Sequence, residues 1–180
     1  HMRRLADRTA DTVYLTLRAG DEAVCLAREE GAFPIKTLTL KVGDRRPLGV
    51  GAGPLAMMLP LDDEETARLL DAAATAAPAF GLDSVTIREM LATSRRCGFA
   101  LNDGQMMPDM GAVGLPICTS DGQPIAALSV AAITTRMDPA RRANIVAWVG
   151  EEIRRIEAEL APILGPMAAG ARRAILSEGG

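Results

Sequence analysis

Alternation between apolar and polar residues dominates the first third of the chain. Residues 12–18 and 22–28 alternate with a period of two around a Gly-Asp turn, which predicts a β-hairpin. Three apolar residues share one face of 35–42, so a third strand is predicted there. Residues 3–11, before the hairpin, have the pattern of the last turns of a helix.

Three helices are predicted in the middle of the chain. Pro54 suits the first turn of a short apolar helix over 55–59, because that turn needs no N–H from it. The acidic run 62–65 suits the start of a second helix, where the helix dipole favours negative charge. Ser84 opens a third helix, and Gly98 is expected to end it.

The last third combines strands with the clearest helical periodicity in the chain. A short strand is predicted over 99–104. Two nearly apolar strands, over 110–118 and 124–134, are joined by a turn and belong in the middle of a sheet covered on both faces. A long helix is predicted from Pro139 to the Gly-Pro pair at 165–166. Its apolar residues recur in steps of three and four, at Ile145, Val149, Ile153, Ile156, Leu160 and Ile163.

The order of these elements predicts the fold class. Hairpins with a helical block inserted between them are typical of an α+β fold, here an antiparallel sheet of five or six strands with helices on both faces. The 180 residues suit one domain, which we place at 12–166. We interpret residues 1–2 (His-Met) as a cloning scar and 167–180 as a flexible tail.

Composition and charge argue against several classes of protein. With 20 basic residues against 23 acidic ones and 3% aromatics, this chain is a poor candidate for binding nucleic acid unaided. No apolar run reaches the roughly 18 residues of a membrane span, and no secretory signal is recognisable. Cys25, Cys97 and Cys118 are odd in number and widely spaced, which predicts packed, reduced thiols in a cytoplasmic protein.

The histidine content weighs against catalysis. His1 is the only histidine, and without it the chain has no imidazole base, no His-based triad and no histidine ligand for the zinc sites that need one, which are most of them. Ser129 does not lie in a Gly-x-Ser-x-Gly motif, so it is a poor candidate nucleophile. We therefore expect no catalytic residue, no metal and no cofactor.

Three short stretches could form a binding site, and each has a plainer explanation. The glycine-rich loop 49–53 before Pro54 could bind an anion, or could be a close-packed turn. Asn102 and Asp103 could place an amide or a carboxylate in a pocket, or could simply form a turn. Ser129 lies in an apolar strand, so its hydroxyl needs either a backbone carbonyl or a ligand oxygen as a partner.

Four motifs in this order resemble one known family. They are Pro-Leu followed by Gly-Ala-Gly within 47–53, Gly-Phe-Ala-Leu-Asn-Asp at 98–103, Gly-Ala-Val-Gly-Leu-Pro-Ile at 111–117, and Ala-Ala-Leu-Ser-Val-Ala at 126–131. Together with the long final helix, they resemble the C-terminal, effector-binding domain of IclR-type transcriptional regulators. The resemblance extends over about residues 5–165.

This resemblance implies a GAF/profilin-like fold and a function. It implies a domain that senses a small organic or aromatic acid, coupled to an N-terminal winged helix-turn-helix that alone contacts DNA. Residues 3–11 would then be the end of the linker helix between the two domains. The resemblance also implies self-association as dimers or tetramers.

The resemblance further implies a set of ligand-binding residues. Backbone N–H groups of Gly51 and Ala52 would bind a carboxylate. The aspartate that the family places after the Gly-aromatic strand corresponds to Asp103, or to Asn102 if the register shifts by one residue.

Three further positions follow from the central strands. A pocket cysteine of some family members is Ala112 here, and the family's Ser-x-Ser pair is Ser129 and Ala131. Because these differences remove polar groups, we expect a larger, partly apolar acid, packed against Met57 and Met110.

Two alternatives to a sensor remain. The polar losses are also compatible with a structural dimerisation module that retains only a vestigial pocket. An enzyme on a GAF-like scaffold is disfavoured by the missing histidine and by the absence of a nucleophile–base pair.

Overall fold

The computed structural model describes residues 1–164, which form five α-helices and one six-stranded sheet. The strands are β1 (Thr12–Ala19), β2 (Glu22–Glu30), β3 (Arg45–Pro47), β4 (Ala100–Asp103), β5 (Met110–Cys118) and β6 (Pro124–Ile133). The helices are α1 (Met2–Thr9), α2 (Ala52–Ala56), α3 (Asp63–Ala73), α4 (Ser84–Cys97) and α5 (Pro139–Leu164).

All neighbouring strands of the sheet are antiparallel, in the order β3-β2-β1-β6-β5-β4. The β1–β2 and β5–β6 hairpins thus pair next to each other, and the helical segment α2–α4 lies between them in sequence. This arrangement confirms the predicted α+β class and the antiparallel sheet.

Helices cover both faces of the sheet, as predicted. On β6, Leu128 and Val130 pack with α1 and α5, where Ile145 and Val149 are buried. Ala127, from the opposite face of the same strand, packs with the core formed by α2, α3 and α4. Because successive strand residues point to opposite faces, both apolar sets of this strand are buried.

The prediction of a strand over 35–42 is wrong, because this segment is irregular in the structure. The free edge of β2 bonds instead to residues that follow the segment: the Cys25 N–H donates to the Asp44 carbonyl at 3.0 Å, and the Gly43 N–H donates to the Cys25 carbonyl at 2.8 Å. These bonds lead into the short β3, so 35–42 is left without a neighbouring strand. Three of its apolar side chains, Ile35, Leu38 and Val42, are exposed.

The helical segment begins and ends close to the predicted positions. Asp62 and Asp83 cap α3 and α4, with side-chain oxygens that accept N–H groups at 2.8 and 2.7 Å. Gly98 ends α4 in the left-handed conformation, as predicted. The short helix differs from its prediction, because it covers Ala52–Ala56 rather than 55–59.

Ion pairs of two buried carboxylates join the N-terminal helix region to α5 and to the residues just before it. The Asp11 carboxylate, 4% exposed, accepts hydrogen bonds from Arg136 at 2.9 Å and from Arg141 at 2.7 Å. The Glu152 carboxylate accepts one from Arg4 at 2.6 Å. The helix predicted over 3–11 is therefore present as α1 and is tied to the longest helix.

Some predictions concern the chain ends and the cysteines. The Gly-Pro pair at 165–166 and the flexible tail at 167–180 lie outside the described residues. Within residues 1–164, no helix is long and apolar enough to cross a membrane. All three thiols are free, but the expectation that all are packed is wrong for Cys97, which is exposed at the end of α4.

Candidate ligand-binding site

A cavity of about 370 Å³ lies between the sheet and the start of α2. Its floor is the sheet face opposite α5, and its walls include the irregular segment after β2 and the loop between β4 and β5. The floor residues are Tyr14, Thr16, Asn102, Ala112, Ser129 and Ala131.

Strand register and small side chains explain why this face is hollow. Asn102 pairs with Ala112, and Ala112 pairs with Ala131, which gives one row across three strands. In the next row, Gly114 pairs with Ser129. Because these residues share a face and four of the five have small side chains, the floor leaves room above it.

The start of α2 packs directly against this floor. A Cβ on Gly114 would lie 2.6 Å from the Ala52 carbonyl oxygen, and a Cβ on Gly53 would lie 2.7 Å from Thr16 Oγ1. Gly51 has a φ of 102°, which favours glycine, and it also lines the cavity. The glycine-rich loop is therefore a close-packed turn whose first residues also form a cavity wall.

Seven of the nine predicted binding residues lie together around this cavity. They are Gly51, Ala52, Asn102, Met110, Ala112, Ser129 and Ala131. They come from α2 and three strands, and the antiparallel pairing of β4, β5 and β6 brings them together. Their contact with a ligand stays a prediction.

Asp103 is not part of this set. Asn102 and Asp103 are successive residues of β4, so their side chains point to opposite faces of the sheet. Asn102 is buried at the cavity, whereas Asp103 is exposed and accepts a hydrogen bond from Arg142 of α5 at 2.5 Å. Of the two predicted alternatives, only Asn102 reaches the cavity.

Met57 does not line the cavity either, so the expected packing of a ligand against it is corrected. Its side chain is fully buried in the core that α3 and α4 form on this side of the sheet. Met57 directly follows the last residue of α2. Met106 and Met107 from the β4–β5 loop line the cavity instead.

Several lining residues were missed from the sequence. Thr37, Thr39 and Leu40 belong to the segment mispredicted as a strand, and Arg46 belongs to the unpredicted β3. For the strand residues Tyr14 and Thr16 a signal was available, because polar residues at a spacing of two in a hairpin mark one face. Nothing in the local pattern identified the other four.

Three buried oxygen atoms in the cavity walls have no hydrogen-bond partner among the described residues. They are Thr16 Oγ1, Thr37 Oγ1 and Asn102 Oδ1, and their residues are at most 8% exposed. A buried polar group left without a partner costs about 1–3 kcal/mol. All three residues line the cavity, so its walls hold hydrogen-bonding capacity that the described residues do not use.

The electrostatics of the cavity are set by one side chain. Of the described residues that line it, only Arg46 carries a formal charge. Its guanidinium donates to the Thr39 carbonyl and lies 5.3 Å from the centre of the Phe80 ring. Burial lowers the pKa of Arg46, because the charged form loses hydration. The Tyr14 hydroxyl donates to the Thr37 carbonyl, and burial raises the pKa of this tyrosine.

Comparison with known proteins identifies the family. The family model described as "Bacterial transcriptional regulator IclR C-terminal" matches residues 1–158. The chain belongs to the IclR family of bacterial transcriptional regulators. The resemblance inferred from the sequence motifs is thereby confirmed.

Two curated relatives of this IclR-family chain are named as HTH-type transcriptional regulators. It is 24% identical over 161 residues to the HTH-type transcriptional repressor AllR of Klebsiella pneumoniae, covering 88% of this chain and 59% of that protein. It is 28% identical over 142 residues to the HTH-type transcriptional regulator XynR of Escherichia coli K12, covering 78% and 56%. The chain thus spans less than two thirds of the length of these relatives.

Solved structures of IclR regulators share the fold. The Thermotoga maritima IclR structure matches with a TM-score of 0.74 at 20% identity, over 89% of this chain and 68% of that one. The regulator from Alicyclobacillus acidocaldarius matches with a TM-score of 0.72 at 20% identity, over 87% and 64%. At this identity the match establishes the fold.

Proposed function

We propose that this IclR-family domain binds a small organic acid and that binding changes the affinity for DNA of the regulator to which it belongs. The observation that carries the proposal is a cavity whose walls combine Arg46 with three residues, Thr16, Thr37 and Asn102, whose buried oxygens have no hydrogen-bond partner within residues 1–164. A ligand site typically combines a few convergent polar groups with apolar walls. Methionine, phenylalanine and leucine side chains supply those walls here.

The chemistry of the lining favours binding over turnover. Among the described lining residues, Ser129 is the only serine that could serve as a nucleophile. Within residues 1–164, no histidine or carboxylate lines the cavity to act as its base. The proposed role is therefore that of a sensor and not of an enzyme. The amides of Gly51 and Ala52, at the wall beside Arg46, are proposed to contribute to carboxylate binding.

A sensor acts only if its ligand has different affinities for two states of the regulator. A physical route from the cavity to the helices exists through β4, because Asn102 lines the cavity and the adjacent Asp103 bonds to Arg142 of α5. Helix α5 is in turn paired with α1 through Glu152 and Arg4. We propose that α1 continues towards a winged helix-turn-helix domain outside this chain, that the regulator acts in the cytoplasm, and that it self-associates as a dimer or tetramer.

The proposal is tested by thermal unfolding of the 180-residue chain in the presence of aromatic and aliphatic carboxylates. An acid at about 100 times its Kd should stabilise the fold by about 2.7 kcal/mol, which corresponds to roughly 5–10 °C for a domain of this size. The shift should shrink in S129A if the hydroxyl contacts the acid, and a shift unaltered by this substitution would remove Ser129 from the site.

A cavity-filling variant provides the control. A131L places a larger side chain on the cavity floor and should abolish the shift, measured relative to the unfolding midpoint of the variant itself. A72L makes the same change at an exposed position of α3 and should leave the shift intact. If no acid shifts the wild-type protein, the sensor proposal fails and a dimerisation module with a vestigial pocket is favoured.

A further inference from the structure

We propose that Arg46 is the specificity-determining residue of the cavity and that its guanidinium selects monocarboxylates over neutral amides and over dicarboxylates. This inference rests on the proposed function. It adds the charge of the ligand and the residue that recognises this charge. The family motifs did not point to Arg46, which lies on the short edge strand β3.

The guanidinium of Arg46 is held at the cavity wall beside the start of α2. Its Nη1 lies 3.4 Å from the position that a Cβ on Gly51 would occupy. The Thr39 carbonyl and the Phe80 ring fix the orientation of the planar group from two other directions. An arginine has five N–H donors, so most of them stay available for a planar carboxylate.

Arg46 lacks the carboxylate partner that its neighbours have. Arg45, the adjacent residue of the same strand, pairs with Glu22 at 2.7 Å. Asp44 is the carboxylate whose charge acts on Arg46. The Asp44 side chain, however, is exposed and accepts a hydrogen bond from the backbone N–H of Lys41 at 2.8 Å. Within residues 1–164, the hydrogen bonding of Arg46 is thus limited to a neutral carbonyl, and this half-buried arginine has no carboxylate within salt-bridge distance.

One charge in the cavity matches one charge on the ligand. Away from Arg46 the polar side chains that line the cavity are neutral, and none is cationic: Tyr14, Thr16, Thr37, Thr39, Asn102 and Ser129. A second carboxylate there would lose hydration without gaining a counter-ion, which is unfavourable in a partly buried site. A monocarboxylate with an apolar or neutral polar remainder pairs its single charge with Arg46 and places no second charge where a counter-ion is lacking.

The test uses two matched sets of probes: hexanoate, hexanamide and adipate, and benzoate, benzamide and terephthalate. Isothermal titration calorimetry with the 180-residue chain should show, for the set whose acid binds, at least about tenfold tighter binding of the monoacid than of its amide or its diacid. In R46M the preference for the acid over the amide should disappear. R46K keeps the charge but loses the bidentate hydrogen bonding of a guanidinium, so it should retain part of the preference for the acid over the amide.

R45M is the matched control, because it removes a positive charge from the neighbouring, ion-paired position of the same strand. It should leave the preference for the acid unchanged. If R46M does not fold, as judged by circular dichroism, the comparison rests on R46K and on the wild-type preference. Should acid and amide bind equally, or should R46M keep the preference, Arg46 is not the determinant, although the sensor proposal survives. If no carboxylate in either set or in the wider panel binds, both proposals fail together.

Discussion

Small side chains at a few positions decide that this sheet has a cavity and not a solid core. Ala112, Gly114 and Ala131 face the same side as Ser129, and the backbone of Ala52 lies directly above Gly114. A larger residue at these positions would either fill the cavity or displace α2. The residue types of the apolar strands therefore carry information about function that their hydrophobicity alone does not.

Gly114 offers a direct test of this close contact. In G114A the new Cβ would lie 2.6 Å from the Ala52 carbonyl oxygen, so the backbone of α2 must shift, and we expect a loss of about 1–3 kcal/mol in the free energy of unfolding. Urea denaturation measures it.

Gly150 of α5 serves as the control for the same substitution. A Cβ there would lie 3.6 Å or more from its nearest neighbours, so G150A should stabilise the protein by about 0.5–1 kcal/mol through helix propensity. A neutral or stabilising G114A would show that α2 is not packed on the strand as described.

Electrostatic contacts between α1 and α5 link elements that are far apart in the sequence. Glu152 of α5 is 6% exposed, and its carboxylate is bonded to Arg4 at 2.6 Å and to Arg155 at 2.9 Å. The hydrogen bond from Arg4 is the main cause that lowers the pKa of Glu152 to about 2. Because α1 would carry any signal towards a preceding domain, the strength of this link bears on the proposed coupling.

The pH dependence of stability reports on this link. The pKa of Glu152 is lower in the folded protein than the ordinary value of 4.5, so its stabilising contribution is complete above about pH 5 and is lost as the pH falls towards 2. E152Q should therefore be less stable than wild type at pH 7, and the difference should shrink towards pH 2. Chemical denaturation at a series of pH values measures this difference.

The neighbouring glutamate supplies a comparison. Glu151 pairs with Arg8 at 2.9 Å, and both side chains are about half exposed. E151Q should change the stability by less than about 0.5 kcal/mol, because exposed ion pairs contribute little. An equal loss in both variants would contradict the role assigned to Glu152.

Across the whole molecule, the three thiols are buried to different degrees. Cys25 is buried in β2 and Cys118 is partly buried at the end of β5, whereas Cys97 is exposed. Burial raises the pKa of Cys25, and burial with the nearby charge of Glu157 raises the pKa of Cys118 to about 11.

Thiol labelling should therefore distinguish one cysteine from the other two. At pH 7–8 the native protein is expected to react rapidly with an aromatic disulfide reagent at one thiol, and C97S should lose that rapid phase. The other two thiols should react only at the rate of unfolding or of slower local opening. A second rapid equivalent in the wild type would mean that β2 or the end of β5 opens readily.

Much of the fold followed from local patterns of the sequence. Period-two alternation placed the β1–β2 hairpin, the run of apolar and small residues identified β5 and β6 as central strands, and the steps of three and four located α5. These patterns work because burial on one or both faces dictates them whatever the distant partners are. The motif order likewise indicated the IclR family and seven of the lining residues.

The rest depended on contacts that no local pattern encodes. The apolar spacing of 35–42 was that of a strand, but the edge of β2 is occupied by the residues just before β3, so this segment became a cavity wall. Met57 packs into the core of α3 and α4 and not into the cavity, and strand alternation turns Asp103 to the opposite face of the sheet from Asn102. Arg46 entered it because the pairing of β3 at the sheet edge carries a charged side chain to the start of α2. The sequence by itself determined which faces are apolar and which strands are central, whereas only the tertiary structure decided which polar groups meet in the cavity, since that depends on which distant segments pack together.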